Sequence, residues 1–336
     1  MNTLLITGAT GFLGGAVLES ILNKMNVPNL LLLVRADNSV AAVERVKENL
    51  RKFNISEERL TALTPGNILL GDLANPQPFL DDPRLNQVTH VLNCAAVASF
   101  GNNPLIWKVN VEGTLQFARR MAQVNSLQRF LHVGTAMSCS PDPDSLVAES
   151  TAFRERAEHL VEYTHSKSTI ERLMRQECPT LPLAIARPSI VVGHTHHGCQ
   201  PSSSIFWVFS MGLMLQKFMC SMEDRIDVIP VDYCADALLM LGLRYGAKDA
   251  VEQTRKWMKA QAAKLNAVIT GSVIVQAADG SHRNRLLWAR PDGEVLHYDK
   301  RHLFRMAGEH EHFTPGERQV QFEVKGWRIR PLICYD

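Results

Sequence analysis

The sequence predicts an α/β protein organised around a doubly wound parallel sheet, and three observations carry that prediction. The apolar start Leu4-Leu5-Ile6 runs directly into Thr7-Gly8-Ala9-Thr10-Gly11-Phe12-Leu13-Gly14, three spaced glycines at the end of a strand. Short apolar runs at 3–7, 29–35, 66–71, 89–94, 128–134 and 182–187 alternate with amphipathic stretches at 12–25, 40–53, 104–125 and 151–177. Such alternation is the pattern of strands buried on both faces beneath crossover helices. Finally, Tyr163 and Lys167 stand four residues apart on the last of these helices.

In the first element, Gly8 suits a tight strand-to-helix turn, Gly11 allows close approach of a pyrophosphate, and Gly14 lets helix and strand pack closely. Thr10, Phe12 and Leu13 complete a loop whose helix N-terminus can face an anion. This is a Rossmann-type start. The second strand ends at Arg35. An acidic residue there would accept hydrogen bonds from a ribose 2′-hydroxyl, whereas an arginine can pair with a 2′-phosphate. Arg35 therefore favours NADP, and Asp37 could serve NAD if the loop turned it inward.

On the helix over 151–177, Tyr163 and Lys167 share a face. A free phenol has a pKa of about 10, too high for useful acid–base work at neutral pH. A nearby ammonium favours the phenolate, so the pair is expected to lower the tyrosine pKa.

Together with Leu32-Leu33-Val34-Arg35-Ala36, Gly71-Asp72-Leu73, Asn93-Cys94-Ala95-Ala96, Val109-Asn110-Val111-Glu112-Gly113-Thr114, Val133-Gly134-Thr135-Ala136 and Ala186-Arg187-Pro188-Ser189, these features make residues 1 to about 245 resemble an extended short-chain dehydrogenase/reductase. Within that superfamily the fatty acyl and thioester reductase branch is the nearest in pattern. The resemblance implies NADPH-dependent reduction of a carbonyl or acyl thioester, carried by coenzyme A or an acyl carrier protein. It implies that Asp72 and Leu73 flank the adenine, that Ala95, Ala96 and Asn110 line the cofactor trough, and that Pro188 borders it. It also implies that Thr135 and Tyr163 hold the substrate oxygen, that Lys167 holds the nicotinamide ribose, and that Asn110 relays protons. Ser138 is a rival hydroxyl for Thr135. Thr135 could instead simply end a strand, and Asn110 could cap or bend a helix. The same superfamily includes NAD-dependent sugar-nucleotide and sterol dehydrogenases and epimerases, an alternative within one fold.

The apolar segment 202–222 opens with three serines and carries Lys217. It is too short for a bilayer span and suits an acyl pocket, a lid, a membrane-surface helix or ordinary core. Val231–Ala237 resembles the superfamily's return to the sheet and the start of a further helix. The His194, His196, His197 group lacks a carboxylate or cysteine framework in sequence, and a polar loop is the expectation.

From about residue 252 the sequence resembles an internal piece of a nitrilase-type omega-amidase, on Asn266–Ser272, Tyr298–Phe304 and Gly326–Asp336. By that resemblance Lys300 is the oxyanion lysine, Cys334 the nucleophile and Glu309 a supporting glutamate. No counterpart of the family's general-base glutamate is found, and a thiol of pKa near 8.5 without a base is a poor nucleophile. Strands lacking their family partners would leave apolar edges. The expected division is therefore a reductase domain over 1–246, shortened at its end, and an incomplete nitrilase-like α/β segment over 247–336. A remnant hydrolase without activity and a non-catalytic fused-gene product are the remaining functional alternatives.

Composition sets the outer limits. A chain of 336 residues with a net charge of +2 offers no electrostatic case for nucleic acid or an anionic membrane. Its 7 cysteines form no CxxC pair, as expected for reduced thiols in a cytoplasmic protein. No stretch predicts a transmembrane segment, and the apolar start reads as a core strand.

Overall fold

A computed structural model of the protein describes residues 2–24, 29–99, 101–139, 159–202, 205–217, 221, 226–243, 247–277, 279–305 and 309–333. Contacts divide the chain into two compact units, Met1–Leu243 and Arg244–Asp336.

In the first unit six strands form one parallel sheet: β1 (Thr3–Thr7), β2 (Asn29–Val34), β3 (Ile68–Leu70), β4 (His90–Asn93), β5 (Arg129–Val133) and β6 (Leu183–Ala186). Their spatial order is β3-β2-β1-β4-β5-β6. Thr7 stands opposite Leu33 of β2 and Asn93 of β4. Chain order reverses between β1 and β4, and in such sheets a ligand crevice opens at that switch point, beyond the carboxyl ends of the strands. All six predicted strands are present.

Alternate side chains feed two cores. Leu4, Ile6, Leu30, Leu32, Leu92, Leu131 and Val133 face the helices Phe12–Lys24, Ser39–Arg51 and Val231–Leu243. Leu5, Leu31, Leu33, Leu69, Val91 and Phe130 face the helices Thr114–Met121 and Glu162–Glu177. The helix predicted to begin at Val231 is therefore a covering helix of the sheet. The stretch predicted as one helix over 104–125 is interrupted by a π-helical turn, Lys108–Gly113. Gly113 explains the close approach there, since a Cβ on it would lie 1.7 Å from the Leu73 carbonyl oxygen.

A small parallel pair, β7 (Ile190–Val192) and β8 (Val228–Pro230), follows the sheet. The Phe206–Leu215 helix is apolar all round, and Gly212 is its one buried residue. It is not the ordinary core that its composition allowed.

The second unit carries a long helix, Ala247–Leu265, and an antiparallel sheet in the order β11 (Val295–Asp299), β10 (His282–Ala289), β9 (Ile269–Gln276). Met258 and Ala262 of the helix pack on Leu287 and Ala289. Trp288, Tyr298, Phe322 and Ile333 form a separate small cluster. The hairpin of β12 (Phe322–Val324) and β13 (Trp327–Ile329) completes the strands. No helix among the described residues is long and apolar enough to cross a membrane.

Candidate active site

The glycine loop is set by close packing. Gly8 adopts φ +75°, and a Cβ there would meet the Ala95 nitrogen at 2.8 Å, so β1 and the end of β4 meet backbone to backbone. At Gly14 a Cβ would lie 2.2 Å from the Gly8 carbonyl oxygen. Gly11 N donates to Gly8 O at 2.9 Å, closing the turn from which the Phe12–Lys24 helix starts. Phe12 and Leu13 point into the core beneath, and Thr10 is half-buried on the loop. A side chain not foreseen from sequence braces this loop. Asn49 of the second helix donates its Nδ2 to Ala9 O at 3.3 Å and Gly11 O at 3.0 Å. The cradle left by these Cβ-free positions beside a helix N-terminus fits a dinucleotide pyrophosphate.

Along the strand tips a polar layer crosses the sheet. Ala95 N donates to Thr7 Oγ1 at 3.0 Å, and Thr7 Oγ1 donates to Asn93 Oδ1 at 2.6 Å. Asn93 Nδ2 then donates to His132 Nδ1 at 3.0 Å, and burial drives the His132 pKa well down. Ala96 is half-buried beside Ala95.

At the far side of β2, Arg35 is exposed and pairs with Asp72 at 3.5 Å. Arg45 Nη1 donates to the Arg35 carbonyl at 2.7 Å, bringing a second guanidinium to the end of β2; sequence reading passed over it. Asp37 is exposed. Asp72 also accepts from Ala74 N at 2.8 Å. Leu73 is 4% exposed and its side chain belongs to the core.

The Tyr163 helix is tied to its surroundings through Lys167 and Ser166. Lys167, buried to 2% exposure, donates its Nζ to the Val133 carbonyl at 2.7 Å. Burial lowers its pKa from 10.5 to about 8. Asn110, within the π-helical turn, accepts from Val97 N at 2.8 Å and donates to Val97 O at 3.1 Å and to Ser166 Oγ at 3.1 Å. Ser166 Oγ donates onward to the Tyr163 carbonyl at 2.7 Å. The Asn110 side chain thus couples the loop after β4 to the helix.

The Tyr163 pKa differs from expectation. Burial raises it. The lysine is anchored on Val133, and the phenol's desolvation dominates, because a phenolate loses more than a phenol on leaving water. Thr135, half-buried, follows Gly134 at the end of β5. Its neighbour Ala136 donates its backbone N–H to Pro188 O at 2.9 Å. Ser138, the rival hydroxyl, is fully buried. Its Oγ bonds to the Thr135 carbonyl at 2.8 Å and to Glu171 Oε1 at 3.2 Å, so Thr135 is the more accessible hydroxyl.

His194 and His197 do come near a carboxylate, Glu19 of the first helix, with ligand-type atoms within 4.8 Å of one another. Yet His194 Nδ1 accepts from the backbone N–H groups of His196 at 3.0 Å and His197 at 3.3 Å. That places the ring hydrogen on Nε2, the atom facing Glu19, and a metal needs a lone pair there. The group is a polar loop held against the first helix.

In the second unit the buried Lys300 donates to Glu309 Oε2 at 2.8 Å, and Phe304 N donates to the same oxygen at 2.6 Å. Cys334 lies outside the described residues, as do residues 151–158 of the expected helix.

Residues 6–238 match the family described as "Male sterility protein", and residues 244–336 match the family described as "Carbon-nitrogen hydrolase". The chain is 24% identical over 310 residues to "Fatty acyl-CoA reductase 8" of Arabidopsis thaliana, covering 71% of this chain and 62% of that protein. It is 52% identical over 87 residues to "Omega-amidase YafV" of Escherichia coli K12, covering 26% of this chain and 34% of that protein. The terminal R domain of the myxalamid PKS-NRPS pathway superposes with a TM-score of 0.62 at 24% identity, over 73% of this chain and 62% of that one. A nonribosomal peptide synthetase reductase domain of Mycobacterium tuberculosis gives 0.55 at 26% identity, over 72% and 63%. The chain thus spans about a third of the amidase and less than two thirds of these reductase relatives. With its glycine cradle, parallel sheet and match over more than half its length, the chain belongs to the male sterility protein family, whose fold binds a nicotinamide dinucleotide.

Proposed function

We propose that the amino-terminal unit reduces a carbonyl or acyl thioester with NADPH. The observation that carries this reading is the Lys167 anchor on Val133, which brings the Tyr163 helix against the strand end bearing Thr135. Bound across the strand tips, a reduced nicotinamide would supply the hydride. Thr135 Oγ1 and Tyr163 Oη would hold the substrate carbonyl oxygen, and their hydrogen bonds strengthen as negative charge develops on it. Tyr163 would then give its proton to that oxygen. A phenol kept protonated by burial is in the state a proton donor needs. Lys167, cationic near neutral pH, would replace the lost phenol proton's charge and hold the ribose. From a thioester, collapse of the resulting hemithioacetal breaks the C–S bond and releases a thiol and an aldehyde.

Two guanidiniums at the end of β2, Arg35 and Arg45, support NADP over NAD, because a 2′-phosphate can pair with both. Gly8, Thr10, Gly11, Phe12, Leu13 and Gly14 would cradle the pyrophosphate, with Ala95, Ala96 and Pro188 lining the trough and Asp72 near the adenine. Asn110 is read as a positioning group for the Tyr163 helix. Acyl groups on coenzyme A or a carrier protein are the proposed substrates, as the names of the reductase relatives suggest for this chain.

The test is NADPH binding followed by fluorescence, with turnover of acyl-coenzyme A. Tyr163→Phe should lower kcat by about a hundredfold or more and leave NADPH affinity within about twofold. Unchanged turnover in that variant would reject the role given to Tyr163.

A further inference from the structure

One buried carboxylate links the Tyr163 helix to the loops after β5 and β6, and no step above uses it. Glu171 is 0% exposed. It lies one helical turn after Lys167 and two after Tyr163, on the same face of the Glu162–Glu177 helix. Its Oε2 accepts from Arg187 Nε at 2.9 Å and Nη2 at 2.7 Å. Arg187 directly precedes Pro188, on the loop that receives Ala136 N. Its Oε1 accepts from Ser138 Oγ at 3.2 Å, and that hydroxyl also bonds the Thr135 carbonyl. Gly134 makes room for it, because a Cβ there would lie 2.4 Å from Glu171 Oε1.

We infer that Glu171, clamped by Arg187 and Ser138, is the positioning residue that sets Thr135 against the Tyr163–Lys167 pair and keeps Lys167 cationic. This rests on the reductase reading for its catalytic meaning, though not for its geometry. A buried ammonium loses hydration and tends to neutralise. Among the described residues the groups that bear on Lys167 are Cys94 and Glu171, with His132, Tyr163 and the Arg187 cation held on Glu171. Cys94, at the end of β4, has a thiol pushed by burial to about 12, so it is neutral when the lysine titrates. His132 on β5 is held neutral by burial, and Tyr163 is held protonated. Glu171 is therefore the carboxylate that opposes neutralisation of Lys167, while its three hydrogen bonds, two from Arg187 and one from Ser138, tie the strand-end loops to the helix.

An ordinary core ion pair would give a different result when broken. Its loss lowers stability without moving a distant titration or selectively slowing turnover. The experiment titrates Lys167 by NMR in cofactor-free protein carrying 13Cε-lysine, assigned with Lys167→Met, beside steady-state kinetics. In Glu171→Gln the Lys167 midpoint should fall by about one pH unit. In kinetics, kcat should fall about tenfold or more with the KM for NADPH within about threefold. Because Glu171→Gln leaves Arg187 buried beside a neutral group and could fail to fold, the paired variant Glu171→Met, Arg187→Met removes both charges together. In the paired variant the loss of the Arg187 cation offsets the loss of the carboxylate, so its Lys167 midpoint moves less and its kcat is the deciding readout, expected to fall about tenfold or more. A Lys167 midpoint unchanged in folded Glu171→Gln overturns the inference, as does unchanged kcat in either variant. If wild-type protein binds no NADPH, the reductase reading fails, and the NMR titration still decides the role of Glu171.

Discussion

Replacing Lys167 with methionine tests the central electrostatic feature of the site through stability alone. The ammonium is held at a pKa of about 8 instead of 10.5, with burial as the cause. A cation with a depressed folded-state pKa favours the neutral form on folding. Between pH 8 and 10.5 the unfolded chain binds more protons than the folded one, so stability rises with pH through that window. Below pH 8 the full penalty is present, about 3 kcal/mol at 1.36 kcal/mol per unit. Loss of the bond to Val133 O costs the variant a roughly constant amount at every pH. Cys94, Cys234 and Tyr163 are held protonated above their ordinary values. They lower stability as pH rises past about 9, but they are common to both proteins and cancel in the difference. Urea unfolding of Lys167→Met and wild type at half-unit intervals from pH 7 to 10 should therefore show the variant losing about 2–3 kcal/mol relative to wild type. A difference that stays flat across that range would refute the buried charge.

Two further substitutions probe the cofactor cradle. Gly14→Ala places a methyl 2.2 Å from the Gly8 carbonyl oxygen, which forces the loop backbone apart. Overpacking of this kind costs about 1–3 kcal/mol, and NADPH affinity by fluorescence titration should weaken about tenfold or more; unaltered affinity would remove the pyrophosphate from this loop. Arg45→Ala leaves the Arg35 carbonyl without its 2.7 Å donor and takes away one guanidinium. NADPH binding should weaken about tenfold with NADH binding little changed, and equal losses for the two cofactors would argue against 2′-phosphate recognition here.

Much of this architecture could be read from residue order because its determinants are local. The six strands announce themselves as apolar runs, and the glycine loop needs small residues at fixed offsets within eight positions. Four-residue spacing likewise put Tyr163 and Lys167 on one face. What escaped were bonds between segments far apart in the chain. Asn49 reaches Gly11 across 38 positions, and Arg187 reaches Glu171 across 16; nothing in a local window marks either partner. Arg45 was overlooked because it lies ten residues from the strand end that it supports. The Tyr163 shift ran opposite to expectation for a related reason. Spacing told which groups are neighbours, but desolvation depends on the whole surrounding shell. Glu19 beside His194 shows the converse, since proximity existed where sequence offered no carboxylate, and ring tautomerism then argued against a metal.

The wide turn at Lys108–Gly113 bears on how this domain tolerates change in length. A π-helical turn holds one more residue than the α-helical rung that it replaces. Here that surplus keeps Asn110 aimed at Val97 and Ser166 while the following Thr114–Met121 segment still sends Phe117 and Met121 inward. Removing a single residue from the turn would rotate everything on one side of it by about 100°. Either the amide would leave the Tyr163 helix or the aromatic would leave the interior. Elsewhere along that helix substitutions trade one contact for another; at this turn, chain length itself is under constraint.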